Sequence, residues 1–435
     1  MTPSQDPRAL LPASSLPAAY FGCAHAALGA AFAVLAVNPD LPGGFFSHPR
    51  MVALVHLLTV GWLTGSILGA LYIVGPLALR LPMSVRRTDW VAFAAFQGGA
   101  LGMASHFWIA AYNGMAWSSA LVWGAAAWVG VRVCIGMRTA VAPWPVKLHV
   151  ALAFVNLLAA AALGALIGLD RTRGFLGWPP FPSAAAHAHL AAVGWPVMMV
   201  VGLAYRLIPM ILPAAMPTGA SLAWSAVLLQ SGVTLVAFTL ICDTGVVWSG
   251  ALLIAAGLVS FAVQVRRMLG RRMPRPPALP RTDWSVWQTL AALLWMLAAA
   301  ALGLALALGP NTRWTASLAW WYGVAGLVGF LAQIVAGMQG RLVPMYAWYR
   351  AFAARSGRPP ARSVHELPSP AFARVIFFAW TAGVPLLGVG LTNDHRHLIA
   401  AAATLMLAGI ATGGVYLAYL LRAARAEATN DPSPR

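Results

Sequence analysis

Two segments, His56-Leu-Leu-Thr-Val-Gly-Trp62 and His189-Leu-Ala-Ala-Val-Gly-Trp195, begin with histidine and lie 133 residues apart. A neutral imidazole in a low-dielectric setting is a good ligand for haem iron or copper. It also serves as a plain hydrogen-bonding group between packed helices. Recurrence at one register position favours the ligand reading for His56 and His189. His187 stands two residues before His189, so on a helix the two side chains point roughly 200° apart and address opposite sides. His48, His106, His395 and His397 lie near the same ends of apolar runs, so seven of the ten histidines gather at one membrane face. His25 is mid-run, while His149 and His365 lie toward the other face.

The elements that hold these histidines are membrane helices. Of the 435 residues 60% are hydrophobic and 9% charged, and the mean hydropathy is +0.75. A soluble domain carries about 25% charged residues, so a water-soluble globule is excluded. Apolar runs begin near Pro17, Met51, Trp90, Trp117, His149, Ala185, Ala220, Val246, Trp284, Thr315, Ala371 and Leu398. Each is long enough for the roughly 20 residues a span requires. The expected fold is an all-α polytopic membrane protein of about twelve transmembrane helices. Trp178-Pro-Pro-Phe-Pro182 reads as the end of an outer loop.

The net charge of +18 lies mostly in short connections, such as Arg80–Arg87, Arg266–Arg281 and Arg350–Arg362. This is the pattern of the positive-inside rule. It places both termini and the connections after spans 2, 4, 8 and 10 in the cytoplasm, and assigns the charge to orientation in a lipid bilayer rather than to nucleic acid. The expected location is a bacterial inner membrane. All ten acidic residues, Asp89 and Asp283 among them, are expected in loops, tails or span ends. That argues against an ion-coupled transporter, which uses intramembrane carboxylates. Arg206 and Arg341, near inner span ends, read as snorkelling side chains. Cys23, Cys134 and Cys242 form no paired motif.

The repeat extends further. Gly69, Tyr72 and Pro76 match Gly202, Tyr205 and Pro209, and a third copy, 135 residues on, matches Gly194, Gly202, Arg206, Pro209 and Met210 with Gly329, Gly337, Arg341, Pro344 and Met345. Repeat motifs opening near residues 51, 185 and 319 divide one transmembrane domain, residues 1–425, into three pseudo-equivalent four-helix units. Residues 426–435 form a polar C-terminal tail. Trp62 and Trp195 read as packing residues or as walls of a cofactor slot. Gly69 and Gly202 read as sites of close helix approach.

Twelve spans, three units and histidine-bearing repeats resemble the haem-copper oxidase subunit I superfamily, in a divergent branch. The segments Ala186–Trp195 and Tyr205–Met210 carry most of that likeness. A looser similarity is to NnrS-type haem- and copper-containing membrane proteins. The resemblance implies a low-spin haem near the outer face. His56 matches the helix II ligand, and Arg396 matches the place of an arginine on the haem propionates. The chain departs from the pattern at the helix X ligand: Val324 and Tyr322 stand in the register of His189 and His187, and span 10 has no histidine. Span 7 lacks the paired copper histidines, and Val193 stands where a tyrosine often follows. An oxygen-reducing centre is therefore not expected.

The expectation is an integral membrane haem b protein, with copper as a second metal, acting in electron transfer or in nitric oxide or redox response. Its partners would be a periplasmic electron donor or other membrane subunits. The haem would lie between His56 and either His187 or His189. The alternative is a copper or small-molecule translocator or assembly protein on the same scaffold, using His48, His395, His397 and the methionines Met103, Met198 and Met199 as transient ligands.

Overall fold

In a bilayer a spanning segment must satisfy its own backbone, and apolar runs of this length do so as helices. The computed structural model describes residues 11–12, 14–43, 48–274, 283–310, 312–355, 357–360 and 362–429. Twelve long helices are present among them: α1 (Leu16–Val37), α2 (Pro49–Ala78), α3 (Arg87–Trp108), α4 (Met115–Gly136), α5 (Trp144–Arg173), α6 (Pro180–Ile211), α7 (Ala223–Ile241), α8 (Val247–Leu269), α9 (Trp284–Leu308), α10 (Thr315–Ala354), α11 (Pro370–Thr392) and α12 (Arg396–Thr429). All but α3 are long and apolar enough to cross a membrane by length and composition. The chain is an all-α polytopic membrane protein.

The helices form two shells. α2, α6 and α10 occupy the centre and touch one another. The other nine surround them in the order α1, α3, α4, α5, α7, α8, α9, α11, α12, with α12 returning to α1. The second helix of each four-helix unit is thus the inner one. All three inner helices contain a π-helical stretch, Leu57–Thr64, Leu190–Val197 and Val324–Ala332, aligned in the repeat to within one residue. These three stretches meet at the centre of the bundle. A π turn bonds i to i+5 and is rare outside functional or specially packed sites. Thr64 supports its own wide turn by donating to the carbonyl of Thr59, 3.0 Å away.

The repeated glycines explain how the shells fit. Each inner helix presents two glycines to the helix before it in the chain. A Cβ on Gly61 or Gly69 would come within 2.5 Å of the Ala27 Cβ or 2.6 Å of the Tyr20 Cβ. In the second unit Gly194 meets Asn156 at 2.7 Å, and Gly202 lies against the Cβ of His149. In the third, Gly329 meets Trp295 at 2.6 Å and Gly337 meets Thr289 at 2.9 Å. Backbones this close gain dispersion contacts that a side chain would forbid. The same contacts align the first helices of the units: Tyr20, His149 and Gln288 correspond, as do Ala27, Asn156 and Trp295.

Several expectations change here. Asp89 is not a solvated span end: it sits in the first turn of α3, fully buried. It pairs with Arg132, accepts from the Trp128 indole at 3.0 Å and holds the Arg86 amide at 2.7 Å. A buried carboxylate requires such a set of partners. Arg341 does not snorkel but pairs with Asp283, the N-cap of α9. The two aspartates belong to one tetrapeptide, Arg-Thr-Asp-Trp, found at 87–90 and 281–284. Pro180 opens α6 rather than ending a loop, because proline suits the first helical turn. α12 continues to Thr429, so the first residues of the polar tail are helical; 430–435 lie outside the described residues.

Candidate functional site

The histidines of the repeat sit just before the π stretches, where the inner helices face one another. The His56 and His187 rings, from α2 and α6, lie with centroids 6.3 Å apart and planes 11° from parallel. Each Nδ1 is held by a backbone carbonyl, His56 by Val52 at 2.8 Å and His187 by Ala160 at 2.9 Å. A carbonyl only accepts, so Nδ1 carries the proton and Nε2 keeps its lone pair. That is the second-shell arrangement that orients a metal-binding imidazole. Gly164 on α5 makes room for the His187 ring, since a Cβ there would approach it to 2.7 Å. Phe107 covers the His56 ring at 4.6 Å. Both imidazoles are half-buried.

His189 turns the other way, as its two-residue offset from His187 requires. Its Nδ1 donates to Ala185 at 2.8 Å, and its Nε2 accepts from the Tyr322 hydroxyl of α10 at 3.1 Å. Its lone pair is therefore already used. Repeat symmetry extends this pattern. The α2–α6 interface carries His56 and His187, and the α6–α10 interface carries His189 and Tyr322. The corresponding positions between α10 and α2 are Val324 and Leu54, both buried and apolar.

The remaining candidates stay apart from this pair. His106 packs edge-on to Trp117 at 5.5 Å and lies against Gly114. His48 caps the start of α2 and is exposed. His395 and His397 are exposed where α11 gives way to α12, their rings 6.0 Å apart, with Arg396 exposed between them. Among the described residues no group of three or more His, Cys, Asp or Glu side chains is placed to hold a metal ion. Met198 and Met199 are fully buried in the core and Met103 nearly so, which is where packing methionines belong. His149 has both nitrogens occupied, donating to Pro145 at 2.7 Å and accepting from Ser225 at 2.9 Å, with Tyr205 donating to the same serine at 2.8 Å. It is a structural histidine.

Reading from sequence missed the partners rather than the ligands. Tyr322 was visible only as a departure from histidine. The wide turns that set the phase of each inner helix leave no sequence mark apart from the repeated Gly-Trp or Gly-Phe step. No family model matches this sequence, and no curated protein matches it.

Proposed function

We propose that this multi-pass membrane protein binds haem b, with His56 and His187 as the two axial ligands, and acts in electron transfer or in nitric oxide or redox response. The observation that carries the reading is the isolated His56–His187 pair, oriented by its carbonyls and joined by no third ligand among the described residues. Two imidazoles without further protein ligands suit a metal that brings four equatorial nitrogens of its own. The spacing fits as well: two metal–nitrogen bonds of about 2 Å plus the two ring radii sum to about 6 Å. Haem, when bound, supplies one-electron chemistry at an iron whose potential is set by the axial pair and its surroundings.

The chain's own part is to fix two neutral tautomers, to cover one ring with Phe107 and to keep Nε2 of His189 engaged by Tyr322. A resemblance to the haem-copper oxidase subunit I superfamily agrees with this chemistry but moves the second ligand from helix X to α6. Arg396 is the candidate for a propionate contact. The arginine-rich connections support a bacterial inner membrane with both termini in the cytoplasm, and an outer histidine site suits a periplasmic donor or a neighbouring membrane subunit.

The test is a reduced-minus-oxidised visible spectrum and iron content of the purified full chain, produced with adequate haem supply. A split α/β band with stoichiometric iron is expected, and loss of both in His56→Ala and in His187→Ala. Unchanged haem content in both variants overturns the ligand assignment. A second reading, copper translocation or assembly, is favoured by the exposed His395 and His397 pair. It predicts copper binding without a haem band.

A further inference from the structure

A crevice of about 440 Å³, counting the space open at its mouth, lies deeper in the bundle between α1, α2 and α10–α12. His25 and Trp62 face each other across it, ring centroids 5.0 Å apart and planes nearly perpendicular. Neither belongs to the histidine site above. Its walls are apolar side chains such as Ile376 and Trp380, interrupted by Gly409 and Gly413, where no side chain fills the space.

Comparison of the three units shows how this crevice differs. Position 25 of α1 corresponds to Phe154 in α5 and Leu293 in α9, so the other two units place hydrocarbon where the first places an imidazole. Trp62 corresponds to Trp195 and Phe330. Trp195 donates its indole N–H to the Thr64 hydroxyl of α2 at 3.0 Å. Phe330 has no N–H, and the residue in register with Thr64 on its neighbour α6 is Val197, which has no hydroxyl. Those two interfaces are matched, polar to polar and apolar to apolar. At the third, Trp62 keeps its N–H but the position corresponding to Thr64 on α10 is Ala332. Trp62 is 2% exposed, and its Nε1 has no partner. A buried donor without an acceptor is costly, so an acceptor from outside the chain completes the site.

The imidazole narrows what that acceptor is. His25 Nδ1 donates to the Phe21 carbonyl at 2.8 Å, which leaves Nε2, beside Gly413, as a bare acceptor. The missing group must accept from Trp62 and donate to His25, and it must reach both across one ring-to-ring gap. A hydroxyl does both. A carbonyl satisfies only the tryptophan. Apolar walls deep in a membrane protein select a hydroxyl carried on a lipophilic ring. We propose that this crevice binds the ring hydroxyl of a membrane-soluble hydroquinone-class molecule, between Trp62 Nε1–H and His25 Nε2. The inference does not depend on haem at His56 and His187.

The experiment is equilibrium binding of a short-alkyl hydroquinone, and of the corresponding oxidised quinone, to the full chain in lipid nanodiscs. Saturable binding is expected, with the hydroquinone several-fold tighter than the quinone. Trp62→Phe, which removes the N–H and keeps a ring, should weaken hydroquinone binding about tenfold, the worth of one good hydrogen bond. Ala332→Thr, which restores the partner that Trp195 has, should weaken it similarly. Trp195→Phe should leave it unchanged. The proposal is overturned if the wild-type chain shows no saturable binding, which would leave the crevice to water. It is equally overturned if Trp62→Phe binds as tightly as wild type, or if quinone binds as well as hydroquinone. Because the readout is binding rather than a haem spectrum, loss of the His56 and His187 reading would leave this result standing.

Discussion

At the level of the outer histidines, the α2–α6 and α10–α2 interfaces are related by the repeat yet share no chemistry. The first holds His56 and His187; the second places Val324 and Leu54 at the same register, 3% and 6% exposed. The backbone plan is common to both: an inner helix, a wide turn and glycines against the preceding helix. The α10–α2 positions therefore show that the architecture closes with hydrocarbon alone. Burying imidazole edges where aliphatic side chains would pack costs stability unless something uses their lone pairs. The difference separates what the fold needs from what has been added to it.

Making the first interface like the third is the largest test of this comparison. His56→Val combined with His187→Leu should abolish haem binding altogether while the chain still folds, shown by a retained monodisperse elution profile and helical circular dichroism. If the double variant aggregates on expression, the histidines belong to the packing after all. The α6–α10 interface supplies the next test. Tyr322→Phe leaves the Nε2 of His189 unpaired and should lower stability by about 1–2 kcal/mol, with the haem spectrum unmoved. A shifted α band would instead make His189 a ligand.

A smaller contrast lies one turn and a half further in. Trp195→Phe removes the bond to Thr64 and should cost about 1 kcal/mol in thermal or denaturant unfolding. Trp62→Phe removes no bond within the chain and should cost distinctly less. Equal losses would mean that the two tryptophans are not distinguished by Ala332 and Thr64. The smallest effect is expected at the exposed connection: His395→Ala with His397→Ala should change stability by less than about 0.5 kcal/mol and leave haem content intact. A copper titration that loses a site in that variant would strengthen the translocation reading.

Much of the architecture was legible in the sequence because both signals behind it are one-dimensional. Apolar length marks each helix, and glycine spacing marks each close approach, so Gly61, Gly69 and their counterparts announced the inner helices. The opposed directions of His187 and His189 followed from helix geometry, and the structure sends them to α2 and α10 respectively. What stayed hidden depends on contacts between distant segments. Asp89 looked like a span end because its partner, Arg132, lies 43 residues later on another helix. Arg341 looked like a snorkelling side chain because Asp283 is 58 residues before it. His149 looked unremarkable until Ser225 arrived from α7 to accept its neighbour's proton and donate its own.

The wide turns give each inner helix a joint. A π stretch stores one residue more than the α-helix around it needs, so deleting a residue from Leu57–Thr64 need not break a hydrogen bond. It would convert the turn to α and rotate one half of α2 against the other by about 100°. The half that bears His56 and the half that bears Gly69, Tyr72 and Pro76 are thus two rods sharing an axis but differing in azimuth. A single-residue deletion there should behave as a twist, preserving the helix while uncoupling the outer histidine pair from the inner glycine contacts.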